Sequence, residues 1–350
     1  MSIEMIKNVL TIKTDAIFTT ALAAIMLLIG YWVKNNLAAL RKSCIPAPVV
    51  GGFLFMFVTF FGHQTGAFAF KFDTYYMSPF MLAFFTTVGL GASLTLLKKG
   101  GFLLIVYWLV AGIVSIFQNI IGIGFSKLVG IEAPYALLAS AISMIGGHGA
   151  AGAYGKTFVE MGYPVAMEVG MAAATFGLIS AVLVGGPLAR ALIEKYQLKP
   201  DESENFDTDV LNVNADKKEK LSSWDIIKNV TAIVVCMAIG TMISGWIGKL
   251  INMSFPPYVG AMFPALILRN LNESFHFYNF SFSLVDSIGD VMLNYYLAIA
   301  LMTLKLWELA GLLGGVLLIV TAQVIFLAAA CYFIIFRVLG SNYDAAVMCA

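Results

Sequence analysis

Long apolar runs separated by short polar breaks fill almost the whole chain. They cover Ala16–Val33, Ala47–Phe61, Phe80–Leu97, Phe102–Phe125 and Val165–Ile193, then resume after a polar interval at Ile226–Ile247, Pro257–Leu268, Val285–Leu304 and Leu312–Phe336, with a last short run entering at Ala345. A hydrocarbon core about 30 Å thick takes roughly 20 helical residues to cross, so these runs are predicted to span or nearly span a membrane. Ala16–Val33 follows a short polar head with Lys7 and Lys13; it is longer than a signal-peptide core, lacks a clear cleavage site, and reads as the first span. Pro134–Ile145 is too short to cross and leads into the glycine-rich stretch Gly146–Gly155. Glu194–Asp225 is highly charged, carries scattered Asn and Ser and lacks a helical apolar period, which predicts an aqueous linker.

The two sides of that linker repeat. Pro48 and Gly51 fall on Pro257 and Gly260 at an offset of 209, Met81–Phe85 falls on Met292–Tyr296 at 211, and Leu128–Gly130 falls on Val338–Gly340 at 210. Each match alone is weak, but three in order at nearly one offset predict an internal repeat. Five crossings plus one short glycine-broken hairpin in the first half make the second half begin on the opposite face, so the repeats are expected to be inverted. With the linker in the cytoplasm, 14 Lys and Arg residues lie inside and 7 outside, the direction of the positive-inside rule. The predicted fold is therefore an all-α polytopic membrane protein of two inverted repeats of five transmembrane helices, each with a re-entrant glycine-broken hairpin. Residues 1–193 form the first repeat, with its re-entrant loop near 134–158; 194–225 form the linker, and 226–350 the second repeat.

Composition agrees with that pattern and narrows the function. Hydrophobic residues make up 60% of the chain and charged ones only 12%, with a mean hydropathy of +0.88; a soluble domain carries about 25% charge. A net charge of +1 provides no field to gather nucleic acid. The four cysteines, Cys44, Cys236, Cys331 and Cys349, show neither CxxC nor metal-ligand spacing, and no cofactor or metal site is expected.

Chemistry is expected at the glycine break, because irregular backbone at membrane depth is tolerated only inside protein or against a watery cavity. Gly146, Gly147, Gly149, Gly152 and Gly155 interrupt the apolar stretch, and Pro134 suits the first turn of the half-helix before them. A second half-helix starting near Gly149–Ala151 would present unpaired amides at its positive end, which suit an anion. Carbonyls from Ala141 to Ile145, ending the first half-helix, would suit a cation. The competing reading is that the glycines only let helices approach closely. His148 is either a hydrogen-bonded structural group or a proton carrier. Gln118 and Asn119, buried amides in the fourth run, are helix-to-helix ties or the lining of a polar cavity. Lys305 and Glu308, three residues apart, read as an ion pair near the interface. Gly147–Gly152 satisfies GxGxxG, but without a βαβ context the match carries no nucleotide reading.

Several motifs together resemble the bacterial sodium/glutamate symporter family: Ile45–Gly52, Met81–Phe85, Gln118-Asn119 with Ile121–Gly124, Gly146–Gly149, Leu304–Leu309 and Asn342–Ala346. The resemblance covers nearly the full chain apart from the linker. It implies a bacterial inner-membrane homodimer, embedded in membrane lipid, that is not an enzyme and takes up glutamate with sodium as coupling ion by an elevator-like movement. The glycine motif carries over to Gly146, Gly147, His148 and Gly149, and the polar pair to Gln118 and Asn119; with the half-helix ends beside them, substrate binding is expected at Gly146, Gly147, His148, Gly149, Ala150 and Ala151, and sodium binding at Ser143, Gln118 and Asn119. Where the family commonly has threonine this chain has Ala150, which removes a hydroxyl, keeps the amide and leaves room for a related small anionic solute, taken up with sodium or protons. Neither the charged rings nor the repeated carbonyl filter of a channel is visible.

The repeat offset places the partner of Gly146 near position 356 and that of Arg190 near 400. The second repeat within this chain is thus expected to lack its re-entrant loop and last helix, leaving half of the expected ligand-binding backbone. The linker itself should be dispensable, since it has nothing to pack against and joins units anchored by their own helices. A short deletion within Pro200–Asp216 should leave membrane insertion and transport near wild-type levels. Loss of either would show that the linker does more than connect.

Overall fold

A computed structural model describes residues 2–6, 9–38, 40, 45–99, 101–199, 222–251 and 255–349, with the side chains of 6, 96, 97, 99, 182, 251, 306, 308 and 310 left out. Most of the proposed linker, 200–221, and the Lys305–Glu308 pairing lie outside the described residues. The helices are α1 (Ala16–Asn36), α2 (Ala47–Thr65), α3 (Met77–Gly91), α4 (Leu94–Lys99), α5 (Gly101–Val129), α6 (Ala133–Leu137), α7 (Gly147–Glu160), α8 (Ala166–Tyr196), α9 (Ser223–Ile251), α10 (Pro257–Phe275), α11 (Phe282–Met302), α12 (Leu306–Ala330), α13 (Phe336–Val338) and α14 (Tyr343–Cys349). π-helical turns follow α6 at Leu138–Ile142 and α12 at Cys331–Ile335. Among the described residues, seven helical stretches, including Ala16–Asn36, Gly101–Val129 and Gly311–Val338, are long and apolar enough to cross a membrane. Large apolar side chains such as Phe102, Trp108 and Ile116 stay exposed along α5, as on a helix that meets lipid rather than water. The chain is a predominantly α-helical multi-pass membrane protein.

One addition was not foreseen. The polar head forms strands β1 (Ser2–Ile6) and β2 (Val9–Lys13), antiparallel with Ser2 opposite Lys13, and β2 pairs in parallel with β3 (Phe68–Lys71). The sheet ties the head to the connection after α2. At its end Asp15 caps α1, its carboxylate accepting from Phe18 N at 2.8 Å.

The chain packs as two compact units, one of Met1–Met81, Val110–Gly185 and Met292–Ala328, the other of Leu82–Leu109, Gly186–Val291 and Ala329–Ala350. In the first, α1 lies directly on the backbone of α2: a Cβ at Gly30 would strike the Ala47 carbonyl, and one at Gly51 would strike that of Met26. Such contacts let lipid-embedded helices gain dispersion energy where no hydrophobic force drives them together. In the second unit α9 packs on α10 in the same manner, with Gly240 against the backbone of Gly260 and Ala261. Ser222 and Asp225 start α9 reciprocally: Asp225 N donates to Ser222 Oγ at 3.2 Å and Ser222 N to Asp225 Oδ2 at 3.1 Å.

The apolar run Phe80–Leu97 is not one helix, contrary to expectation. It breaks at Ala92–Ser93 between α3 and α4. Asn270 of α10 satisfies backbone groups freed there, its Oδ1 accepting from Leu94 N at 2.7 Å and its Nδ2 donating to Ala92 O at 3.1 Å, while Glu273 Oε2 accepts from the Ser93 hydroxyl at 2.8 Å.

Local features recur 210 residues apart. Helices α2 and α10 each hold 19 residues, start after Pro46 and Pro256, and end in left-handed residues, Gly66 and His276. Gly130 and Gly340 both have positive φ, and beside them Ile131 N donates to Ser126 O and Ser341 N to Phe336 O, each at 3.0 Å.

Candidate functional site

The glycine break lies in the first unit. Pro134 stands in the first turn of α6, and the helical path fails at Ser140 (φ −114°, ψ −139°) inside the π-helical turn. Ala141 O accepts from Ile145 N at 3.0 Å and from Gly146 N at 3.4 Å, so this carbonyl, expected to face a cation, is occupied by the turn. Gly146 admits no side chain, because a Cβ would meet Ile142 O at 2.6 Å and also Ala150 Cβ. Gly147 has φ +61° with nothing within 4 Å of an added Cβ; it is glycine for its left-handed backbone, not for space.

Helix α7 begins at Gly147, two residues before the expected start near Gly149. Ala150 N donates to Gly146 O at 3.3 Å, so the amide expected to serve a ligand at Ala150 is already used. Ala151 is fully buried, with its carbonyl against Gly170 of α8. The amides of Gly147, His148 and Gly149 stand in the first turn, where a helix supplies no carbonyl partner, and Gly146 adds no side-chain cap. The close-packing reading accounts for two other glycines: a Cβ at Gly152 would strike the Tyr296 hydroxyl, and one at Gly155 would lie 2.8 Å from Met167 Cα.

His148 is buried as a connecting group. Its Nε2 lies 2.9 Å from Thr175 Oγ1, and that hydroxyl donates to Met171 O at 2.9 Å. The single hydroxyl proton is thereby spent, so Nε2 carries the imidazole proton and donates to Thr175. The His148 carbonyl accepts from Tyr296 OH at 2.8 Å, joining the start of α7 to α11 as well as to α8.

The polar pair of α5 sits beside the break. Gln323 Nε2 of α12 donates to Gln118 O at 2.7 Å and to Ser140 Oγ at 3.0 Å, while Ser140 Oγ donates to Ala136 O at 2.7 Å. Gly122 leaves room for Ser140, whose hydroxyl would strike a Cβ there. Several buried atoms have no protein partner: Gln118 Oε1 and Nε2, Asn119 Oδ1, Ser143 Oγ and Gln323 Oε1. All three expected sodium ligands are among them. An unmet buried polar atom costs about 1–3 kcal/mol, and neutral amide and hydroxyl oxygens are the donors a hard cation takes. The Gln118 side-chain amide makes no helix-to-helix tie; its backbone carbonyl does, and its side-chain atoms have no protein partner.

Ser140, Thr175 and Tyr296 were missed in the sequence. Tyr296 carried a signal, a hydroxyl within a spanning run that needs a partner; Ser140 and Thr175 resemble any small polar residue that bonds back along its own helix.

A family model described as sodium/glutamate symporter matches residues 12–350. The chain is similar to the sodium/glutamate symporter of Haemophilus influenzae, 37% identical over 335 residues, which is 95% of this chain and 83% of that protein. It is also similar to the sodium/glutamate symporter of Escherichia coli K12, 34% identical over 337 residues, covering 96% of this chain and 84% of that one. No solved structure matches the chain at a significant level.

The left-handed backbone at Gly147 makes a direct prediction. Gly147→Val should destabilise the purified protein by about 1–2 kcal/mol, the cost of an L-residue in that conformation. Gly147→Asn should cost less, because asparagine visits the region. Thermal unfolding in detergent reads both, and equal melting temperatures for wild type and the valine variant would contradict the assignment.

Proposed function

The chain belongs to the sodium/glutamate symporter family, and from that premise we propose that it couples inward sodium movement to glutamate uptake across a bacterial inner membrane. The observation that carries the reading is the pairing of two features in one unit. The first-turn amides of Gly147, His148 and Gly149 suit the substrate's carboxylate, and the unpartnered oxygens of Gln118, Asn119, Ser143 and Gln323 suit sodium. Gly146 and Gly147 shape the anion site. Ala150 and Ala151 belong to it as packing residues, and His148 holds it in place through Thr175 and Tyr296.

The chain is further proposed to hold two inverted repeats, 1–193 and 226–350, joined by the linker 194–225, with the segment near 134–158 re-entering the membrane. The matched helices and left-handed closures at one offset support the repeat, and the irregular turn at Ser140 and Gly147 supports re-entry, since such backbone requires shelter from lipid. An elevator-like movement of a homodimer completes the proposal, resting on family membership alone. A second reading, uptake of a related small anionic solute with sodium or protons, is favoured by Ala150, which offers the substrate no hydroxyl.

Proteoliposomes given an inward sodium gradient should accumulate labelled glutamate and should fail to do so with potassium in place of sodium. Equilibration without a gradient would indicate a channel. Sodium-driven uptake of another small anion with glutamate excluded would favour the second reading.

A further inference from the structure

Beyond transport, the first unit contains a partly open cavity of about 330 Å³ lined mainly by α2, α8 and α12, at the lower end of the roughly 300–1,000 Å³ of small-molecule pockets. Its walls are apolar, supplied by Phe53 and Met56 of α2, Phe176 and Ile179 of α8, and Leu309 and Leu313 of α12. Glu168 and Lys305 are its charged lining residues, one of each sign, so it carries no net charge to attract an ion. A carboxylate solute would lose its hydration there without enough polar groups to replace it.

The position of the cavity identifies the occupant. Phe57 both lines it and belongs to an exposed stripe of α2 with Leu54, Val58 and Phe61, at helical spacing on one face of a membrane-length helix. An apolar face of that kind in a spanning helix meets hydrocarbon, so the molecules at the mouth are lipid tails rather than water. We propose that the cavity is an acyl-chain site, in which one tail of a bilayer phospholipid inserts between α2, α8 and α12. Thr175 lines the same cavity while holding His148, so the tail would support the wall on which the start of α7 is fixed.

The test uses the whole protein in liposomes doped with phosphatidylcholine that carries a photoactivatable diazirine in its tail, with labelled residues mapped by mass spectrometry. Label is expected on the inward residues Met56, Phe176 or Ile179 as well as on the outward Leu54, Val58 and Phe61. Filling the cavity with Ala172→Phe, or with Ile179→Trp should the first variant fail to fold, should reduce inward label to background and leave outward label unchanged. Wild-type label confined to the outward residues, meaning annular lipid only, would overturn the proposal. Undiminished inward label in a folded filled variant would do the same. Neither result depends on whether the protein carries glutamate.

Discussion

In hydrocarbon an unpaired backbone amide or carbonyl costs several kcal/mol, and this constraint shapes two places where a described helix stops short. Where the third apolar run breaks, Asn270 replaces missing helical partners, and Glu273 takes the Ser93 hydroxyl beside it. Where α6 gives way to α7, the turn closes on Ala141 O and Gly146 O, and Tyr296 takes the carbonyl of His148. The first-turn amides of α7 receive no side-chain cap from Gly146. On the proposed reading these donors, fixed by the fold, would not need to reorganise when a carboxylate arrives.

The same accounting applied to side chains singles out the oxygens of Gln118, Asn119, Ser143 and Gln323. Ser140 connects them to the break, since its hydroxyl joins the α6 turn to the Gln323 amide, which in turn holds the Gln118 carbonyl. Occupancy of the oxygens by a cation would therefore bear on the same turn that sets Gly147. On the proposed reading, the link between ion and substrate would run through this shared backbone and its hydrogen bonds.

Much of this was legible in the sequence, and what escaped has a common cause. Apolar length identified the spans, and the glycines with Pro134 identified the break, because both follow from one-dimensional rules. Gln118 and Asn119 stood out because amides are costly in apolar surroundings. The partners Thr175, Tyr296 and Ser140 depend on which helix faces which, information that a single chain does not carry locally. The start of α7 was misplaced by two residues because Gly147, Gly149 and Ala151 all permit a helix to begin; only the left-handed φ of Gly147 decides among them. The strands of the head were missed because β2 finds β3 across the two intervening helices.

The central claim, that the unpartnered oxygens await sodium, is tested most directly by thermal unfolding of the purified protein in sodium and in potassium at equal ionic strength. A ligand that binds only the folded state stabilises it by about 2.7 kcal/mol at a hundred times its dissociation constant. Sodium should raise the melting temperature of the wild type, and Ser143→Ala and Gln118→Leu should each reduce that rise while unfolding normally in potassium. An identical melting temperature in both salts, or a sodium effect undiminished in both variants, would contradict the account.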